Sequence, residues 1–276
     1  MQMRCAWKEL LGILPGWIGG YTDKVGRDRL RELRLRLGKP PELVMDTGSQ
    51  WMTQKTNRDD LNFCVNAASR YSPWAAQSIA RGFITASGGH RIGICGEAVV
   101  KNAAVMGIRE IDSLCIRVAR DYPGIGEKAA RLSGNLLLLG PPGSGKTTLL
   151  RDIARNISYR DPVGVVDERS ELFPPGFDTG EKLDVLKGCT KVLGVDMLLR
   201  TMTPAVIAVD EITAEEDCEA LIRAGWCGVR LLATAHAASV MDLQCRPVYR
   251  SLVSTKLFDH ILVLSRDKSW RAERMD

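Results

Sequence analysis

The sequence predicts an α/β protein, in which a carboxy-terminal domain with a helix-covered parallel sheet follows a smaller α+β domain. Three observations carry this. Four leucines at 136–139, too few for a globular helix, run into a glycine-rich turn and then an apolar helical start. Beyond them, short apolar runs alternate with helix-length stretches, the pattern of strands covered on both faces. The first 120 residues instead mix short helices with a stretch where basic residues alternate with leucine, the period of a half-buried strand.

In chain order, residues 1–28 read as short helices, and 29–37 (R-L-R-E-L-R-L-R-L) end as a strand. Gly38-Lys39-Pro40-Pro41 turns the chain, so that 42–45 pair back as a hairpin. Residues 60–81 are helical, with Leu61, Cys64, Val65 and Ala68 in one stripe. Tyr71-Ser72-Pro73 breaks that stretch and caps a second helix. In 83–100, strand-like runs flank Gly88-Gly89, and Gly93 and Gly96 suggest a bulge or a close backbone approach. His90 there reads as an ordinary surface residue, and Arg91 as exposed on the turn. Residues 114–119 form another short strand around Arg117. The composition of Asp121-Tyr122-Pro123-Gly124-Ile125-Gly126 marks a boundary, giving an amino-terminal domain at 1–120, a linker at 121–134 and the sheet domain at 135–276. In the last, strands are expected at 136–139, 163–166, 205–209, 230–234 and 260–264, with helices after Lys146 and near 215–224. Function then sits at the carboxyl ends of those strands.

Hydrophobic residues at 45% and charged residues at 26% describe a globular chain with a sizeable core. No apolar run approaches the ~20 residues that span a bilayer. Residues 10–20 are interrupted by Pro15, Trp17 and glycines and lack a small-residue cleavage site, so they read as a helix end and not a signal. Eight scattered cysteines without a C-x-x-C pair exclude a zinc arrangement or a small disulfide framework and suit a reducing cytoplasm. Residues 1–120 hold 18 Lys and Arg against 11 Asp and Glu, while the remainder holds 20 against 22. The basic half suits nucleic acid, acidic lipid or a neighbouring subunit's nucleotide.

The turn itself is Gly140-Pro141-Pro142-Gly143-Ser144-Gly145-Lys146-Thr147, a complete G-x-x-x-x-G-K-[ST]. Glycines let the backbone aim successive N–H groups at phosphate oxygens, and the following helix adds the positive end of its dipole. Lys146 reaches the β- and γ-phosphates, Thr147 suits a Mg²⁺ ligand, and Thr148 completes the binding stretch. The expected ligand is a nucleoside triphosphate with Mg²⁺. Three further segments end apolar runs in polar groups. At 205–211, Asp210 suits the Mg²⁺ shell as a Walker B carboxylate, and Glu211 is placed to deprotonate the attacking water. At 167–171, either Glu168 or Glu171 helps hold metal or water, with Arg169 balancing the charge; a plain charged loop is the alternative. At 234–236, His236 either reads the γ-phosphate or caps the next helix. Arg200 is a surface residue or a charge sensor.

Assembled, these segments resemble the secretion-ATPase branch of RecA-like hydrolases, the type II and type IV secretion and pilus motors. Those motors carry in order a phosphate loop, an acidic box, a Walker B segment and a histidine box. Here these fall at 140–147, 167–171, 206–211 and 234–236. R-T-M-T-P-A-V-I-A-V-D-E-I departs from their pattern in having Asp210 where they have glycine and no arginine after Ile212-Thr213. R-L-R-L-G-K-P, G-F-I-T-A-S-G-G-H-R-I-G-I-C-G-E, P-P-G-S-G-K-T-T-L-L-R-D-I-A-R, V-V-D-E-R-S-E and T-A-H resemble more closely the stage III sporulation AA family of endospore formers. That resemblance implies a cytoplasmic ATPase on the mother-cell side. It would assemble as a homo-hexamer and act with a membrane-embedded sporulation channel, touching the membrane only through partners. It also implies arginines from the amino-terminal domain against ATP, for which Arg91, Arg109, Arg117 and Arg120 are candidates. Two other readings stand beside it: a nucleic-acid-binding ATPase using residues 27–39 as a phosphate footprint, and a nucleotide-gated scaffold with little turnover. The first lacks an aromatic stacking cluster on its basic stretch.

Overall fold

The computed structural model describes residues 3–70, 79–80 and 82–273; the helix break expected at Tyr71-Ser72-Pro73 lies outside them. The chain forms two compact units. One holds Met3–Asp121 with Pro174–Phe177, the other Tyr122–Phe173 and the chain from Asp178.

In the first unit, α1 (Trp7–Gly12), α2 (Gly16–Val25) and α3 (Arg58–Ser69) accompany a six-stranded antiparallel sheet. Its strands are β1 (Leu30–Arg36), β2 (Glu42–Met45), β3 (Gly48–Trp51), β4 (Phe83–Thr85), β5 (Arg91–Lys101) and β6 (Ala104–Arg117), in the order β3-β2-β1-β6-β5-β4. The Arg–Leu alternation of β1 buries Leu33 and Leu35 and turns Arg34 outward. β2 pairs back with Arg34 opposite Glu42, and β3 continues the meander. The wholly exposed G-S-Q-W of β3 has no core-facing period to betray it. α3 begins on a reciprocal capping box: the Asp60 N–H donates to Asn57 Oδ1 and the Asn57 N–H to Asp60 Oδ2, both at 2.9 Å. Its stripe of Leu61, Cys64, Val65 and Ala68 is buried in a core with Leu10, Ile18 and Ile116.

Two expectations change here. The short strand expected at 114–119 is the end of the 14-residue β6, whose earlier part pairs only with β5 and stays largely exposed. Gly96 marks the bulge in that hairpin; a Cβ there would lie 2.7 Å from the Glu110 carbonyl oxygen. His90 is not a surface residue but 0% exposed. Its Nδ1 accepts the Ala119 N–H at 3.2 Å, so Nε2 carries the proton and donates to the Ala6 carbonyl at 2.8 Å. Gly88, with φ +71°, lets the turn close inward, since a Cβ there would lie 2.3 Å from that of Ala6.

The second unit opens with α4 (Glu127–Ala130), which lies inside the stretch expected as a linker. Its Ala129 and Ala130 are buried against α5 (Lys146–Ser158), and the Gly126 N–H donates to Asp152 Oδ2 at 2.6 Å, so this stretch belongs to a core. The sheet comprises β7 (Leu136–Leu139), β8 (Val163–Asp167), β9 (Leu183–Lys187), β10 (Val206–Ile212), β11 (Arg230–Ala235), β12 (His260–Leu264) and β13 (Trp270–Glu273). Their order is β13-β12-β7-β11-β10-β8-β9, parallel except for the antiparallel edge strand β13. This is the parallel sheet expected, with one antiparallel strand added at its edge. Alternate residues serve opposite faces. Leu136, Leu138, Val165, Ala208 and Leu232 pack with α5. Leu137, Leu139, Ile207, Val209 and Leu231 pack with α6 (Lys191–Thr201) and α7 (Glu215–Trp226). Two cores sandwiching one sheet bring the carboxyl ends of β7, β8, β10 and β11 to a single edge.

Candidate nucleotide site

The loop between β7 and α5 is shaped for an anion. Gly143 and Gly145 hold φ of +77° and +94°, which side-chain-bearing residues rarely adopt. No side chain caps the start of α5, so its first N–H groups are left for an outside acceptor. Gly140 sits where a Cβ would lie 2.7 Å from Ser144 Oγ and 2.8 Å from the Leu264 carbonyl oxygen, so the loop lies close on β12. Ser144 Oγ is buried without a hydrogen-bond partner. Pro142 and Gly143 are exposed, Pro141 half-buried, and Thr148 half-buried in the first turn of α5. Lys146 is 6% exposed, and its ammonium donates to the carbonyls of Gly140 (2.7 Å) and Pro141 (3.0 Å) and to His236 Nδ1 (3.2 Å). Burial pushes its pKa below the ordinary lysine value, against the opposing pull of Asp210 and Glu211.

Asp210 and Glu211 lie at an irregularity just before the end of β10. Val209 pairs with Ala233 and Ile212 with Ala235, so the two acids lie opposite one residue, Thr234. Asp210 Oδ2 accepts from Thr147 Oγ1 at 2.7 Å, and Oδ1 from Thr234 Oγ1 at 2.6 Å. Glu211, at φ +56°, donates its N–H to Thr234 Oγ1 at 2.7 Å. Its carboxylate meets His236 Nε2 at 3.0 Å and Arg169 Nη1 at 2.8 Å. Because the Lys146 ammonium only donates, His236 Nδ1 accepts and Nε2 carries the hydrogen offered to Glu211. Loop lysine, imidazole, carboxylate and guanidinium thus form one chain of contacts. Beneath it, the Tyr249 hydroxyl donates to the Ile212 carbonyl at 3.2 Å, and burial raises that phenol's pKa.

Of the acids after β8, Asp167 organises the loop. Its carboxylate accepts the N–H groups of Glu171 (2.8 Å), Leu172 (3.1 Å) and Phe173 (3.0 Å), while burial pushes its pKa up. Arg151 on α5 holds the same loop through the carbonyls of Glu171 and Leu172. Glu168 is not brought to the Lys146–His236–Glu211 chain by any described contact. It bonds Lys191 Nζ at 2.6 Å, and Lys191 also lies 3.4 Å from Asp217. The structure therefore turns Glu168 toward α6 and α7, and Arg169 toward Glu211. The capping alternative for His236 fails, because Ser239 caps α8 (Val240–Cys245) by accepting the Asp242 N–H at 3.1 Å.

The arginines considered for contact with ATP each have partners within the amino-terminal unit. Arg109 bonds Glu97 at 2.7 Å, Arg117 lies 3.7 Å from Glu32, and Arg120 donates to the carbonyls of Arg27 and Leu30. Arg91 lies 4.3 Å from the centre of the Phe83 ring. Arg200 is exposed at the end of α6. In the basic stretch, Arg31, Arg34 and Arg36 pair with Asp46, Glu32 and Glu42. Thr234, Arg151 and Lys191 were not singled out as individual site residues in the sequence. A T-x-H at the end of an apolar run was the one available signal for Thr234.

Mg²⁺ and ATP fit these residues: a glycine-formed loop, an uncapped helix start, and Thr147 bonded to Asp210. Among the described residues no cluster of three or more His, Cys, Asp or Glu could hold a metal alone. That suits Mg²⁺, which takes one or two protein groups plus phosphates. No described helix is long and apolar enough to cross a membrane.

A family model for sporulation stage III, protein AA matches residues 20–272. Stage III sporulation protein AA of Bacillus subtilis (strain 168) is 37% identical over 280 residues, spanning 94% of this chain and 91% of that protein. The fold is that of secretion ATPases. It superposes on the Legionella pneumophila ATPase DotB with a TM-score of 0.60 at 16% identity, covering 95% of this chain and 80% of DotB. On the pilus retraction motor PilT, solved with bound ADP, the TM-score is 0.61 at 16% identity, covering 89% and 76%.

Proposed function

Because the chain belongs to the sporulation stage III protein AA family, we propose that it is a Mg²⁺-dependent ATPase acting as the motor of a sporulation secretion apparatus. The observation that carries the reading is the direct bond between the loop and the acidic strand end, Thr147 Oγ1 to Asp210 Oδ2 at 2.7 Å. It joins the two groups that hold Mg²⁺ beside the β- and γ-phosphates in phosphate-loop hydrolases. Thr147 and Asp210 would hold the metal, whose positive charge offsets that of the phosphates. The loop amides from Gly140 to Thr148 and the Lys146 ammonium bind the triphosphate. Lys146 exchanges its carbonyl and imidazole partners for phosphate oxygens. Glu211 takes the proton of the attacking water, and the His236 Nε2–H keeps that carboxylate oriented. Glu168, bonded to Lys191, is given no part in this chemistry in the proposal.

The family and the fold support placing the chain in the mother-cell cytoplasm, as a homo-hexamer beside a membrane-embedded channel. In the test, phosphate release is measured for the purified chain, Lys146→Ala and Glu211→Gln, alongside mass in solution with and without a non-hydrolysable nucleotide. Loss of turnover in both variants and a nucleotide-dependent increase in mass are expected. Full turnover in either variant would remove the assigned roles. One observation favours a second reading, a nucleotide-gated scaffold with little turnover: both carboxylate oxygens of Glu211 are engaged, by His236 and Arg169. Phosphate release with and without the membrane partner separates the two. The nucleic-acid reading loses ground because Arg31, Arg34 and Arg36 are paired with acids.

A further inference from the structure

We propose that Thr234 is the positioning residue that aims both acids of the site through a single hydroxyl; this rests on reading the site as one for Mg²⁺ and ATP. A hydroxyl has one hydrogen to donate and lone pairs to accept with. Thr234 commits the hydrogen to Asp210 Oδ1 at 2.6 Å and a lone pair to the Glu211 N–H at 2.7 Å. The side chain is 0% exposed, so no water competes for either bond.

The backbone explains why such a residue is needed. In a regular parallel pair, successive residues of β10 would point to opposite faces and each would have its own partner on β11. Between Val209 and Ile212 the pairing gains one residue, leaving Asp210 and Glu211 opposite Thr234 alone. Glu211 then adopts φ +56°, a region that favours glycine and strains a residue with a side chain. Such a conformation persists only where its surroundings fix it. The Thr234 hydroxyl does so by accepting the N–H that the irregular pairing takes out of the ladder. That same hydroxyl holds the second oxygen of Asp210, leaving the first for Thr147. One side chain therefore sets the metal-side acid and the water-side acid relative to each other. His236, two residues along, completes the direction of Glu211.

The test compares Thr234→Val, which keeps the shape and loses the hydroxyl, with Thr234→Ser, which keeps the hydroxyl. Two readouts are taken on the full chain: the factor by which Mg²⁺ tightens binding of a non-hydrolysable ATP analogue, and steady-state kcat. Thr234→Val should reduce the Mg²⁺ factor and lower kcat by about 10- to 100-fold, as loss of a supporting partner does at metal sites. Magnesium-free nucleotide affinity should stay within about threefold, because the loop itself is untouched. Thr234→Ser should recover most of both losses. In a Glu211→Gln background, Thr234→Val should lower kcat by less than it does in the parent, since part of its effect on the rate runs through that carboxylate. If Thr234→Val does not fold, Thr234→Ala takes the same measurements. A hydroxyl-free variant with an unchanged Mg²⁺ factor and kcat, or additive losses in the double variant, overturns the proposal. A parent chain that binds no nucleotide overturns the site reading instead. A parent that binds Mg²⁺–nucleotide without turnover overturns only the hydrolytic role, and the Mg²⁺ factor then still decides Thr234.

Discussion

Replacing Lys146 by methionine separates nucleotide binding from the integrity of the fold. In the free chain the ammonium is 6% exposed and bonded to two neutral carbonyls and a neutral imidazole. Burial solvates the charge worse there than water does and lowers its pKa. Phosphate oxygens exchange those neutral acceptors for charged ones. A hydrogen bond to an ionised group is worth about 1.5–3 kcal/mol against about 1 kcal/mol for a neutral one. Two such exchanges give roughly 1–4 kcal/mol, or about 5- to 700-fold in Kd at 1.4 kcal/mol per decade. Methionine fills the same space without a charge to desolvate. The free variant should then melt within a few degrees of the parent, a change of about 1 kcal/mol or less. The assay is a titration of a fluorescent ATP analogue in Mg²⁺ buffer, paired with a thermal melt of the free chain. A Kd within threefold of the parent would refute the reasoning. So would a collapse of the free variant, which would make Lys146 a structural residue first.

Glu211→Gln keeps the shape of the side chain at its φ of +56° and removes its basicity, so kcat should fall about 10²- to 10⁴-fold. Nucleotide affinity should hold or tighten, and single-turnover chemistry that survives would contradict the assignment. Burial holds the His90 imidazole below its ordinary pKa of 6.5 in a neutral form whose Nδ1 accepts the Ala119 N–H. A depressed folded pKa contributes stability that is present above 6.5 and lost as pH falls through the folded value. Urea unfolding followed at β1 to β6 should therefore weaken on acidification below 6.5, and His90→Gln should remove that part of the slope. Gly126→Ala would place a Cβ 2.5 Å from the Ile153 backbone nitrogen, and should destabilise the second unit by about 1–3 kcal/mol in urea unfolding followed at β7 to β13. An unchanged midpoint would show that α4 moves freely over α5.

What could be read from the sequence was local. The phosphate loop is contiguous, and the strands β7, β8, β10, β11 and β12 are apolar runs whose ends are marked by polar residues. These sufficed for the fold of the sheet unit. Elements without a clean period escaped: β9 and β13 are edge strands whose core-facing residues are only partly buried, and the outer reach of the β5–β6 hairpin is largely exposed. α6 was hidden because it exposes Leu193 and Met197 on its outer side. The arrangement around the acids was unreadable for another reason. Glu168 goes to Lys191 and Arg169 to Glu211 because of contacts 23 and 42 residues apart in the chain. The irregularity that sets Asp210 and Glu211 against Thr234 is a matter of register between strands, which no single segment encodes. His90 looked exposed beside its glycines, yet those glycines are what let the turn fold inward upon it.

Calorimetric titration of the full chain with a non-hydrolysable ATP analogue, run with Mg²⁺ and again with EDTA, goes straight to the phosphate-loop site. One saturable event per chain, weakened by removal of the metal and in Lys146→Met, is what the bond from Thr147 to Asp210 predicts. Correctly folded protein that releases no heat and shows no melting shift with any nucleoside triphosphate would contradict it.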